Sequence, residues 1–77
     1  MKTVKVIGSG CTKCNKTADL LRNIADELGV KIHLVKDTDP QSLLTYGVMS
    51  TPAVVIDDTL VHSGQIPTRE QVSQWLR

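Results

Sequence analysis

Cys11 and Cys14 are the only thiols in this chain, and they stand two residues apart in the stretch GSGCTKC, residues 8–14. That spacing admits three chemistries: a structural staple, a pair of soft-metal ligands, or a dithiol that opens and closes as a redox couple. The staple is the weakest of these. A disulfide across two intervening residues closes a tiny loop and removes little entropy from the unfolded chain. A cytosolic setting, which the rest of the sequence suggests, also keeps structural disulfides rare.

The redox reading needs one accessible sulfur and one covered sulfur, held close together. From Thr12 to Leu28 the apolar pattern is helical. At 100° per residue, Ala18, Leu21, Ala25 and Leu28 all fall within about 40° of Cys14, and Ile24 widens the stripe. Cys14 is therefore expected to face the core. Cys11 precedes the helix and is expected to sit at or near its N-cap, on a turn rich in glycine. Residues three apart at a helix start lie about 5–6 Å apart, within reach of a disulfide. Unpaired N–H groups and the positive end of the helix dipole favour a thiolate there, and Lys13 and Lys16 add positive charge in the same turn. An accessible thiolate can attack a foreign disulfide, and the covered thiol can then resolve the mixed disulfide.

A binding reading stays open beside it, in which the two thiols carry a soft metal, Cu(I) or Zn, or hold a partner without redox turnover. A Gly-x-Cys-x-x-Cys stretch after a first strand also suits two thiolates gripping Cu(I). Small copper carriers built that way end in a strand, however, whereas this chain ends in a helical pattern. Structural zinc would need four ligands, and His33 and His62 lack the spacing of a His pair. Each lies on an expected strand, where a surface histidine is the simpler reading.

The elements that must position the cysteines follow from the same pattern. Residues 3–7, TVKVI, read as a strand ending in a glycine turn. Gly29 is placed to close the long helix, and residues 31–36 alternate as a second strand, with Ile32 and Leu34 on one side and His33 on the other. Asp39-Pro40 is an N-cap followed by proline at the first helical position. It opens a short helix with Leu43, Leu44 and Tyr46 on its expected buried side, closed by Gly47. After Thr51-Pro52, the run AVVID reads as a central strand buried on both faces. Asp57-Asp58 is a tight turn into a partner strand, and Thr68 with Gln71 is a capping box for a last helix carrying Val72, Trp75 and Leu76. The order is β-α-β-α-β-β-α, an α/β chain of 77 residues that fits a single domain over 1–77. With no Phe, one Trp and one Tyr, its core must be aliphatic. A net charge of +1 with interspersed signs leaves no footprint for nucleic acid or an anionic membrane. The absence of a long apolar run and of a signal-peptide pattern gives the cytoplasmic expectation.

Thr51-Pro52 matters beyond its place in the strand order. Proline before a buried strand belongs at the strand's start, because it cannot donate to the ladder. X–Pro bonds are also nearly the only ones that adopt the cis form. Together, TVKVIGSGCTKC, STPAVVID and the whole element order resemble the thioredoxin/glutaredoxin superfamily in its smallest, redox-active-disulfide form. The resemblance implies a minimal thioredoxin-like fold, a four-stranded mixed sheet with three helices, and thiol–disulfide oxidoreductase activity. It implies Cys11 as the attacking thiolate and Cys14 as the resolving thiol. Pro52 would be the cis-proline beside the disulfide, and Thr51 the residue whose backbone meets an extended substrate. Thr12 and Lys13 would be the dipeptide that tunes the redox potential. It further implies no cofactor beyond the Cys11–Cys14 disulfide, no metal, and a monomer. Its partners would be protein or small-molecule disulfides and an upstream thiol reductase.

The chain also departs from the larger subfamilies. Gly10 stands where thioredoxins carry Trp, and Thr12-Lys13 replaces their Gly-Pro. Lys5 takes the position of their buried acid. The Gly-Gly-x-x-Asp helix start with which glutaredoxins bind glutathione is replaced by residues 63–68, SGQIPT, which hold no aspartate.

Overall fold

The computed structural model describes residues 2–8 and 12–77. Its elements run β1 (Lys2–Ile7), α1 (Thr12–Leu28), β2 (Ile32–Asp37), α2 (Pro40–Thr45), β3 (Ala53–Ile56), β4 (Thr59–Ser63) and α3 (Arg69–Leu76). The four strands form one sheet in the order β2-β1-β3-β4. β1 runs parallel to β2, with Val4 opposite Leu34 and Ile7 opposite Asp37. It runs antiparallel to β3, with Ile7 opposite Ala53. The result is the mixed open sheet of a minimal thioredoxin-like fold.

The alternation of β1 sorts its side chains between two layers. Val4 and Val6 join Ala18, Leu21, Ile24 and Ala25 of α1, Val54 and Ile56 of β3, and Val72 and Leu76 of α3 in the main core. Ile7, Ala53 and Val55 form a smaller core on the opposite face, covered by Leu43, Tyr46, Val48 and Leu60. Two helices thus cover one face and one six-residue helix the other. β3 lies between two strands and beneath both layers, so all four of its residues are buried.

Local chemistry fixes the connections. Gly29 adopts φ +67°, the left-handed conformation that ends a helix most cheaply at glycine. Asp39 caps α2 by accepting from Gln41 N–H at 3.0 Å. Asp57 and Asp58 take φ values of 48° and 66°, as a two-residue hairpin turn demands. The turn is tied back to β1, because Thr3 N–H donates to Asp57 Oδ1 and Asp57 N–H donates to Thr3 O, each at 3.0 Å. Thr68 and Gln71 form the expected capping box.

Two expectations are corrected. The second strand begins one residue later than the alternation suggested, at Ile32. Leu44, expected on the buried side of the short helix, is 77% exposed. A helix of barely two turns presents one narrow stripe to the sheet; Leu43 and Tyr46, three apart, occupy it, and Leu44 is turned some 100° outward.

Candidate functional site

The site lies where β1, α1 and the loop before β3 meet. Cys14, in the first turn of α1, is buried at 5% exposure, as its place on the apolar stripe requires. Its Sγ rests directly against Gly8, the residue that follows β1. A Cβ on Gly8 would stand 2.1 Å from Cys14 Sγ and 3.3 Å from Cys14 Cβ. The φ of Gly8 lies outside the left-handed region, so glycine is needed here for space alone. The same point is 3.8 Å from Thr51 Cβ. Gly8 is therefore the floor on which Cys14 and Thr51 converge.

The register of the sheet explains this convergence. Ile7 pairs with Ala53, so the residue after one and the residues before the other leave the sheet at the same end. There the Thr51-Pro52 peptide bond is cis. Pro52 is buried and Thr51 exposed, and Pro52 O accepts from Gly64 N–H at 2.9 Å. Thr12 and Lys13 open α1 with exposed side chains. Lys13 O accepts from the hydroxyl of Thr17, a fully buried polar side chain, at 2.8 Å. Cys11, the expected attacking thiol, lies outside the described residues. Of the expected site residues, the fold brings Cys14, Thr51 and Pro52 together and sets Thr12 and Lys13 at the adjoining helix start.

The structure gives three residues contacts that the sequence does not show: Gly8 and Asp37, and Lys5, which reads in the sequence only as a departure from the thioredoxin pattern. Gly8 read only as part of a turn, although a glycine directly after a strand was the available signal. Lys5 lies on the α2 face, where it donates to Tyr46 Oη at 3.0 Å, and Tyr46 in turn donates to Asp58 Oδ1 at 3.1 Å. The Tyr46 hydroxyl holds the Lys5 ammonium above its usual range; desolvation opposes this, and Asp58 and Asp37 add to it. Asp37 ends β2 beside Gly8, whose N–H donates to Asp37 O at 3.0 Å. The Asp37 carboxylate accepts from Ser42 Oγ at 2.5 Å and from Asp39 N–H at 3.0 Å. The Ser42 hydroxyl holds its pKa below the usual carboxylate range; partial burial opposes this, and the Asp39 N–H assists it.

Asp37 also borders a cleft of about 160 Å³ that runs from Thr51 and Gly8, past Ile7, to the start of α2. Among the described residues no group of three or more His, Cys, Asp or Glu is placed to hold a metal ion. His33 and His62 lie on the two opposite edge strands. His62 Nε2 is 3.0 Å from Gln65 O, with its ring centroid 5.7 Å from that of Trp75. No helix among the described residues is long and apolar enough to cross a membrane.

Comparison with known proteins agrees with this fold. The family model described as a thioredoxin domain matches residues 2–77. A thioredoxin of Methanocaldococcus jannaschii is 35% identical over 77 residues, covering all of this chain and 88% of its own length. A thioredoxin of Methanothermobacter thermautotrophicus is 24% identical over 76 residues, covering 99% of each chain.

Proposed function

We propose, because the chain belongs to the thioredoxin family, that it is a protein disulfide oxidoreductase working through Cys11 and Cys14. The observation that carries the reading is the burial of Cys14 Sγ against Gly8, beside Thr51 and Pro52 and three positions after Cys11.

The steps follow from that asymmetry. Cys11 immediately precedes α1 in the chain, and a helix N-terminus favours a thiolate. That thiolate attacks one sulfur of a substrate disulfide; the substrate S–S bond breaks, and the released substrate thiolate takes up a proton. Cys14 then gives up its proton and attacks the Cys11 sulfur, forming the Cys11–Cys14 bond and releasing the second substrate thiol. Two electrons and two protons pass from the dithiol to the substrate. A thiol reductase returns them. Thr51 offers exposed backbone beside Cys14 to an extended substrate, Pro52 closes the wall behind it, and Thr12 and Lys13 tune the potential of the couple. Met49, 94% exposed two residues before Thr51, offers a protein substrate an apolar contact.

Trapping tests the reading. The Cys14→Ser protein, mixed with a disulfide-linked peptide, is expected to hold one peptide at Cys11, seen as a stable mass increase released by dithiothreitol. Cys11→Ser is expected to hold none. A Cys14→Ser protein that forms no adduct, or a Cys11→Ser protein that traps equally well, would overturn it.

A further inference from the structure

The cleft beside Thr51 serves no step of the exchange described above, yet it shares Gly8, the residue against which Cys14 Sγ packs. We propose that it receives the cationic side chain, lysine or arginine, of a residue flanking the reacting cysteine in a partner polypeptide. The proposal rests on the redox reading and names the substrate class that the reading leaves open.

Size decides first between a whole small molecule and one side chain. The cleft holds about 160 Å³, whereas pockets for whole drug-sized ligands run to roughly 300–1,000 Å³. A cavity of about 150 Å³ takes one benzene ring. One long side chain fills that space, whereas a tripeptide such as glutathione would extend well beyond it.

Chemistry then decides which side chain. Ile7, Pro40 and Leu43 give the cleft apolar walls that suit an aliphatic stem. Asp37 and Asp39 supply two carboxylates, and no lysine or arginine is among the described residues that line it. Asp37 is kept ionised by Ser42 Oγ and the Asp39 N–H. Asp39 Oδ1 is engaged by Gln41 N–H, so the start of α2 is already capped by an anion of the protein itself. A ligand carboxylate entering here would meet two like charges; an ammonium or guanidinium would meet two opposite ones.

Lys5 attracts Asp37 from outside the cleft while its ammonium donates to Tyr46, which leaves Asp39 without a basic neighbour in the lining, and Lys13 and Lys16 are exposed on α1. Gly8 and Thr51 join the cleft to Cys14. A side chain seated in it therefore belongs to a residue close to the reacting cysteine.

Reaction rates with matched peptides test the proposal. Reduced protein, freed of excess dithiothreitol, is mixed with the disulfide-linked homodimers of three hexapeptides whose single cysteine is flanked by lysine, norleucine or glutamate. Flanking lysines also lower the leaving thiol's pKa and speed any attack, so the quantity read is the lysine-to-norleucine rate ratio in wild type divided by that in variants. Wild type is expected to show a ratio roughly 3- to 10-fold above that of the Asp37→Asn/Asp39→Asn protein. The excess should shrink as salt is raised from about 0.02 to 0.5 M. Asparagine caps a helix about as well as aspartate; if the double variant nevertheless fails to fold, Asp39→Asn alone is expected to lose part of the excess. Equal ratios in folded wild type and variants, a salt-independent ratio, or glutamate as the fastest peptide would each overturn the proposal while leaving the redox reading intact. Reduction of no peptide at all would overturn both.

Discussion

Replacing Gly8 with alanine sets a methyl group directly against the Cys14 sulfur. The added carbon would stand 2.1 Å from Sγ and 3.3 Å from Cβ, where nonbonded heavy atoms settle at about 3.5–4.0 Å. Roughly 1.5 Å of separation must therefore be found. Turning χ1 of Cys14 moves the sulfur but not the Cβ, so the first turn of α1 must also shift. Overpacking of this kind costs about 1–3 kcal/mol, and for a domain of this size each kcal/mol lowers Tm by about 4–8 °C. Gly8→Ala should therefore melt roughly 4–24 °C below wild type by circular dichroism. The chemistry should suffer more than the stability, because a reacting atom misplaced by about 1 Å can cost on the order of 100-fold in rate. Stopped-flow mixing with a peptide disulfide, quenched by alkylation and read by mass, separates the two steps. First attack by Cys11 should persist while resolution by Cys14 slows, so that the mixed disulfide accumulates. Removing the sulfur should remove most of the clash: in the Cys14→Ala background, Gly8→Ala should cost about 1–2 kcal/mol less than in wild type. A Gly8→Ala protein with unchanged Tm and no accumulated mixed disulfide would refute the close-packed floor.

Other perturbations probe the frame. Thr68→Ala removes one side of the capping box and should lower stability by about 1 kcal/mol in urea titration. Leu21→Ala, in the main core at 0% exposure, should lose about 2–5 kcal/mol, a large share of the about 4–12 kcal/mol expected for this length. Leu44→Ala, at 77% exposure, should stay within about 0.5 kcal/mol of wild type in the same titration. Because the Ser42 hydroxyl holds the folded Asp37 pKa below the usual carboxylate range, its contribution is fully present above that range and is lost as pH falls through the folded pKa. The Tm gap between wild type and Asp37→Asn should therefore be widest near pH 6 and should close near pH 2; a gap that does not change with pH would contradict it.

What could be read from sequence was local, and what could not was made by distant parts of the chain. The limits of α1 follow from an apolar stripe ending at Gly29. The hairpin turn follows from Asp57-Asp58, and the last helix start from Thr68 and Gln71, because caps and turns are decided within four residues. The sequence misplaces Leu44 because a helix of fewer than two turns gives no repeat with which to fix its phase. The register shift between Val54 and Val55 leaves no composition signal. Gly8 and Asp37 stand 29 positions apart in the sequence and meet only because β1 and β2 run parallel, so their shared cleft needed the sheet. The burial of Thr17 has no apolar signal in the sequence; it is tolerated because the hydroxyl reaches back to Lys13 O, one helical turn away.

The central claim is that Cys11 and Cys14 form a reversible two-electron couple. The direct measurement equilibrates the protein with a series of reduced and oxidised glutathione ratios, alkylates it, and counts alkyl groups by mass. One transition from zero to two alkyl groups is expected, with no bound glutathione at the end point. It should fall within the range of roughly −270 to −120 mV spanned by dithiol pairs on scaffolds of this kind. Two thiols that remain alkylatable at every ratio, or that take up glutathione independently, would contradict it.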